Sequence, residues 1–224
     1  MKRQAMTRVA WALTLGLVVM PLAACSGQGT SGDQGATEDT TTEETVAVDV
    51  ASLKTLGDVM AIEGEGQSSA WNEEHYIYVT NANGAPLRAV VDLTPEIYSQ
   101  IEELDFLDED YDQKLTDIIG GLELASLDDY SDQVPSQEEL DALVGKTGQE
   151  LVDDGFTFST LTMYGGDETV AEFEKDAFRY EVTFDGTVDG DADGFDGSVV
   201  AELTVASASF AGLSNAAMDP GNVG

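Results

Sequence analysis

The feature that most limits the fold is a strict alternation near the C-terminus. Phe178, Tyr180, Val182 and Phe184 alternate with Arg179, Glu181 and Thr183. A period of two with one polar face belongs to a strand of an antiparallel sheet that buries one side and wets the other. The same reading is extended to residues 199–210, where Val199, Ala201, Leu203 and Val205 alternate with Val200, Glu202, Thr204 and Ala206. Residues 156–164 and 169–174 complete a run of four strands, punctuated by Gly165-Gly166-Asp167, Lys175-Asp176 and an Asp/Gly-rich loop. The 224 residues are 42% hydrophobic and 24% charged, which suits one folded domain of ordinary size rather than a disordered chain.

Upstream, the pattern mixes helix and strand. Residues 75–80 and 87–93 read as a hairpin turning through Asn81-Ala82-Asn83-Gly84. Residues 50–62 fit either a short helix or a strand. Thr94-Pro95-Glu96 starts a helix with Ile97, Ile101 and Leu104 on one face, and Tyr111, Leu115, Ile118 and Ile119 stripe a second that stops at Gly120-Gly121. Ser136-Gln137-Glu138-Glu139 and Thr147-Gly148-Gln149-Glu150 are capping boxes that open two further short helices. Helices are the natural cover for a one-sided sheet, so residues 46–224 are expected to form a single α+β domain, an antiparallel sheet with helices on one face.

The N-terminus reads as an address. Lys2, Arg3 and Arg8 precede an apolar run from Val9 to Met20, then Pro21 and small residues, the form of a secretory signal over residues 1–24. That run is shorter than the ~20 residues needed to cross a hydrocarbon core. Leu22-Ala23-Ala24-Cys25 resembles the lipobox of bacterial lipoproteins, a resemblance that implies a diacylglyceryl thioether on Cys25 as the mature N-terminus. Cys25 is the only cysteine, so no disulfide competes for it. The competing reading is an ordinary cleavage site with a chance cysteine. Residues 25–45 then hold the lipidated cysteine and a polar tether without an aromatic or branched apolar residue apart from threonine, a composition that cannot offset its ordering entropy. The partner expected from this address is a lipid bilayer, gripped through acylated Cys25 on the extracytoplasmic face of the cell membrane.

Charge agrees with attachment by lipid rather than by electrostatics. Nine Lys and Arg stand against 44 Asp and Glu, a net charge of −35, which repels anionic head groups and nucleic acid alike.

The order helix, short helix, four strands over residues 136–210 resembles the helix-helix-sheet repeat of the beta-lactamase inhibitor protein and of small outer-membrane-assembly lipoproteins. Gly145-Lys146-Thr147 stands where those families have a Gly-Met-Thr turn, with Lys in place of Met. The stretch around Asp105-Phe106-Leu107-Asp108 and residues 135–155 is similar to uncharacterised lipoproteins of Gram-positive bacteria. The alternation leaves Arg179, Glu181, Thr183, Glu202 and Thr204 on a sheet face free of helical cover, which is the candidate surface for a protein or cell-wall partner, with a plain solvated face as the competing reading. The first resemblance implies docking on the corresponding sheet surface without identifying residues. Phe156, Phe158 and Tyr164 are the aromatics that would anchor such a partner if they lay on that face.

Catalytic signatures are sparse. His75 is the single histidine, at the start of a strand, and reads as a strand-edge residue; no Ser-x-x-Lys spacing joins a serine to a lysine. Paired carboxylates abound, but a glycosidase needs two in a cleft with one pKa raised, and charge runs are usually solvated faces. One acidic cluster has a spacing with a mechanism: Asp189, Asp191 and Asp193 before Gly194 match the first half of a calcium loop, and counting twelve from Asp185 reaches Asp196. Weak Ca²⁺ binding and an unliganded acidic loop both fit. The function expected is a non-catalytic binding or accessory module, with a carboxylate-dependent hydrolase of wall polymers and a small solute-binding lipoprotein as rivals.

Overall fold

The computed structural model of the protein describes residues 8–10, 47–64, 66–165, 167–188 and 197–223. The fold is α+β, with two antiparallel sheets where one was expected. The first sheet runs β1 (Arg8–Ala10), β2 (Ser68–Trp71), β3 (His75–Ala82), β4 (Ala85–Asp92), β5 (Ser126–Asp129), each paired with the next. The second runs β6 (Thr157–Gly165), β7 (Glu168–Lys175), β8 (Phe178–Asp185), β9 (Thr204–Leu213). Helices α1 (Leu56–Met60), α2 (Pro95–Glu102) and α3 (Tyr111–Ile119) accompany the first sheet; α4 (Gln137–Asp141) and α5 (Gly148–Asp153) precede the second, and α6 (Asn215–Met218) follows it.

Two sheets arise because the β3–β4 hairpin has apolar residues on both faces. Tyr76, Tyr78, Leu87, Ala89 and Val91 face one way and join Leu56, Val59, Ile101, Leu115 and Ile119 of α1 to α3. Ile77, Val79 and Val90 face the other way and join the cluster built from Phe173, Tyr180, Val182 and Phe184 of the second sheet. Each such side chain, taken wholly out of water, contributes roughly 1.5–3 kcal/mol, so neither face tolerates solvent. An edge-on contact between the Tyr130 and Phe178 rings, 5.8 Å apart, also links the two regions.

The hairpin turn is set by Asn83, at φ 54°, with Gly84. The Asn83 side chain also fixes where the body begins: its Oδ1 accepts from the Val48 N–H at 2.8 Å and its Nδ2 donates to the Val48 carbonyl at 3.0 Å. Residues 50–62, ambiguous in sequence, form a 3-10 turn (Val50–Ser52) and α1.

The two regions share one plan. In each, a capped short helix precedes four consecutive strands in sequential order, and the helix start is stapled to the chain entering the fourth strand. Thr55 caps α1 in a capping box with Asp58, and Thr147 caps α5 in one with Glu150. Leu56 and Gly57 N–H groups donate to the Leu122 and Gly120 carbonyls at 3.0 and 2.8 Å; Gly148 and Gln149 N–H groups donate to Leu203 and Ala201, both at 3.0 Å. Lys54 and Lys146, each just before the capping threonine, accept through their carbonyls from Leu124 and Val205. Thus the donors that a helix N-terminus leaves unpaired are satisfied by backbone. Glycine is required at both staples: a Cβ on Gly57 would lie 2.7 Å from the Gly120 oxygen, and one on Gly148 2.2 Å from the Val200 oxygen.

That staple corrects the last predicted strand. Residues 199–210 do not run as one strand, because Ala201 and Leu203 turn their carbonyls to α5. Val199 ends a 3-10 turn (Gly197–Val199), and β9 starts at Thr204. Of the leader and tether expected over residues 1–45, the part described is Arg8–Ala10, which pairs antiparallel with β2, Arg8 opposite Trp71.

Candidate functional site

The expected docking face is present in part. Arg179, Glu181 and Thr183 lie opposite Glu174, Glu172 and Val170 on β7, and Arg179 Nη2 donates to the Ala211 carbonyl at 3.3 Å. Thr204, at the start of β9, pairs with Asp185. Glu202 is not on this sheet: it sits in the turn before β9, for the reason given above. Nor does the face carry the aromatic anchors proposed for it. Phe156 precedes β6 and is buried edge-on against Tyr180 at 5.1 Å, while Phe158 meets Phe173 edge-on at 5.6 Å. The side chain of Tyr164 lies outside the described residues. Glu172 directly opposite Glu181 puts like charges across a strand pair, which costs rather than gains stability.

Cys25 and the calcium-loop residues Asp189, Asp191, Asp193 and Asp196 lie outside the described residues. Asp185, the remaining member, is exposed at the end of β8. Among the described residues no group of three His, Cys, Asp or Glu could hold a metal ion, and no helix is long and apolar enough to cross a membrane.

His75 packs between chain segments. Its Nδ1 lies 3.2 Å from the Pro220 carbonyl and its Nε2 3.6 Å from Asp92 Oδ1, which ties the C-terminal turn to the start of β3. Several carboxyls are held below the usual range, each by a structural partner. Backbone N–H groups of Lys54 and Thr55 lower Asp58, the Ser136 N–H lowers Glu139, and lysine ammonium groups lower Asp110 (Lys114) and Asp154 (Lys146). These groups serve caps and ion pairs, and a carboxyl so lowered is a poor proton donor at neutral pH.

The arrangement that sequence reasoning missed is the link between α2 and α3. Phe106 and Leu107 are 75% and 76% exposed, while the next most exposed large apolar side chain among the described residues, Val144, is 49% exposed. The turn presenting them is fixed at both ends: Asp105 Oδ1 accepts from the Leu107 N–H, the Asp105 carbonyl accepts from the Asp108 N–H, both at 3.0 Å, and Lys114 Nζ bridges Asp108 at 2.8 Å and Asp110 at 2.9 Å. The signal in sequence is two apolar residues that fall outside both helical stripes, between aspartates. In the shared plan this link occupies the connection from the third to the fourth strand, where the second region carries its Asp-rich loop.

A shallow groove of about 570 Å³ lies between residues 50–54 and the β5 edge, lined by Val50, Leu53, Lys54, Leu124 and Leu127 among others. No protein-family model matches the chain, and no curated protein or solved structure is similar to it at a significant level.

Proposed function

We propose that this chain is a bacterial lipoprotein whose body is a non-catalytic binding module, held at the extracytoplasmic face of the cell membrane by acylated Cys25. The observation that carries the reading is Leu22-Ala23-Ala24-Cys25 behind a basic and apolar leader, with no second cysteine in the chain. Two acyl chains hold a protein stably where one is marginal. The Asn83 clamp on Val48 supports the reading too, because it gives a tether of some twenty polar residues a fixed point of entry into the body. Once the leader is removed, Arg8–Ala10 leaves with it, and β2 becomes a four-residue sheet edge, short enough to resist strand addition. Asp58, Asp110, Glu139 and Asp154, drawn into caps and lysine pairs that lower their pKa, are unsuited to be the raised-pKa acid that the wall-hydrolase alternative needs.

Intact-mass analysis of protein produced in a bacterial host tests the proposal. The expected product begins at Cys25 and carries a diacylglyceryl mass, and Cys25→Ala releases the chain from the membrane fraction. A mature chain that begins elsewhere, or membrane retention unchanged by Cys25→Ala, overturns it.

A further inference from the structure

We infer that the Phe106–Leu107 tip is the docking element of the module, and that its partner is a protein with an apolar pocket rimmed by lysine and arginine. This rests on the binding-module reading and names its surface. Two adjacent large side chains, each about three-quarters exposed on a turn pinned by Asp105 and Lys114, are presented in advance of any contact. Preorganised anchors of this kind concentrate binding energy, because little ordering is left for the moment of docking.

Charge selects the occupant. Glu103, Asp105, Asp108, Glu109 and Asp110 surround the pair and are all exposed. A bilayer is disfavoured, since seating Phe106 and Leu107 among acyl chains would bring these carboxylates within a Debye length of an anionic surface. A second copy is disfavoured because each chain carries a net charge of −35. A basic rim around an apolar pocket complements both parts of the tip, the carboxylates steering encounter and the apolar pair holding the complex. The place in the fold agrees: the tip sits in the connection between the third and fourth strands of the first region, a loop on a rigid scaffold, where binding residues collect.

The test places a benzophenone amino acid at position 106 of the full chain in its native membrane, and at position 181 on the open sheet face as reference. Irradiation of position 106 is expected to give one discrete protein adduct. Its yield should fall at least tenfold with Leu107→Ser, and severalfold with Glu103→Gln/Glu109→Gln or when salt is raised from 0.05 to 0.5 M. None of these three side chains makes a hydrogen bond that holds the turn, so the tip stays folded. Adducts to lipid, an adduct of twice the chain's mass, an adduct indifferent to the charge changes, or no adduct would each overturn the inference. A discrete adduct from position 181 alone would overturn it while leaving the binding-module reading in place; adducts from neither position would count against both.

Discussion

The first and second regions are built on one plan but use their sheets differently. Both staple a threonine-capped helix to the chain entering the fourth strand. In the first, the central hairpin is buried on both faces, between α1 to α3 and the core of the second region. In the second, β8 is buried on one face and wet on the other. The difference teaches that sheet environment, not connectivity, sets the hydrophobic pattern. β3 is buried at every position from Tyr76 to Thr80 and β8 at every second one, although both are interior strands of a run of four sequential antiparallel strands.

The largest expected effects break that comparison strand by strand. Phe184→Ala should cost about 3–5 kcal/mol, and Ile77→Ala and Leu87→Ala, on opposite faces of the hairpin, about 2–5 kcal/mol each. Thr183→Ala, on the open face of β8, should stay within about 0.5 kcal/mol. Urea unfolding decides it: if either hairpin face tolerates truncation as Thr183 does, the double burial of the first sheet is wrong.

Next come the staples. Gly57→Ala and Gly148→Ala each drive a methyl into a backbone carbonyl, and should each cost about 1–3 kcal/mol. Gly148→Ala should cost more, because its approach to Val200 is the closer of the two and backbone must move. Equal and negligible losses would show that the shared plan is not maintained by these contacts.

Much of this was legible in the sequence, for physical reasons that are local. Thr94-Pro95, Ser136 with Glu139 and Thr147 with Glu150 mark helix starts because the capping hydroxyl accepts from the backbone N–H three residues on, and all three starts stand in the structure. The alternation in β8 was equally readable. The common plan was not, because its two copies differ where a reader would look: the capping-box acid is Asp58 in one and Glu150 in the other, and the staple glycine is two residues after Thr55 but one after Thr147. The second sheet face of the hairpin was hidden for a different reason, since an apolar run does not say what covers it. The stretch holding Phe106 and Leu107 stood out in the sequence, but its presentation to solvent did not, because exposure is a tertiary property.

Buried threonines sharpen the comparison at a smaller scale. Thr169 in β7 and Thr80 in β3 are both fully buried, but Thr169 Oγ1 donates to the Gly186 carbonyl at 3.0 Å, whereas Thr80 Oγ1 has no hydrogen-bond partner among the described residues. A hydroxyl buried without a partner loses its solvation for nothing, while a bonded one contributes about 1 kcal/mol. Thr80→Val should therefore stabilise the protein, and Thr169→Val should destabilise it by about 1 kcal/mol. Thermal melts that move in the same direction for both would refute the assignment of Thr80 as an orphan.

The smallest effect concerns acid, and it separates the regions by their caps. Asp58 serves the α1 cap in the first region and Glu139 the α4 cap in the second, each accepting backbone and hydroxyl hydrogen bonds from its capping residue, and each is held below its usual pKa. For a carboxyl lowered in the folded state, stability is present above its unfolded pKa and is lost as pH falls through the folded one. Below neutrality both caps hold until the pH passes the ordinary carboxylate range of about 4. Under it, protons bind the unfolded chain more readily than the folded one, and the two helix starts weaken. Asp58→Asn should flatten the acid dependence of amide exchange in α1 alone, and Glu139→Gln that in α4 alone, because neither cap touches the other helix. Both groups are exposed to solvent, so the shift should be small and diminish with salt. An acid dependence that either substitution abolished in both helices at once would mean that the two regions unfold as a single unit, and that the shared interior of Ile77, Val79 and Val90 with the second sheet couples them more strongly than their separate caps distinguish them.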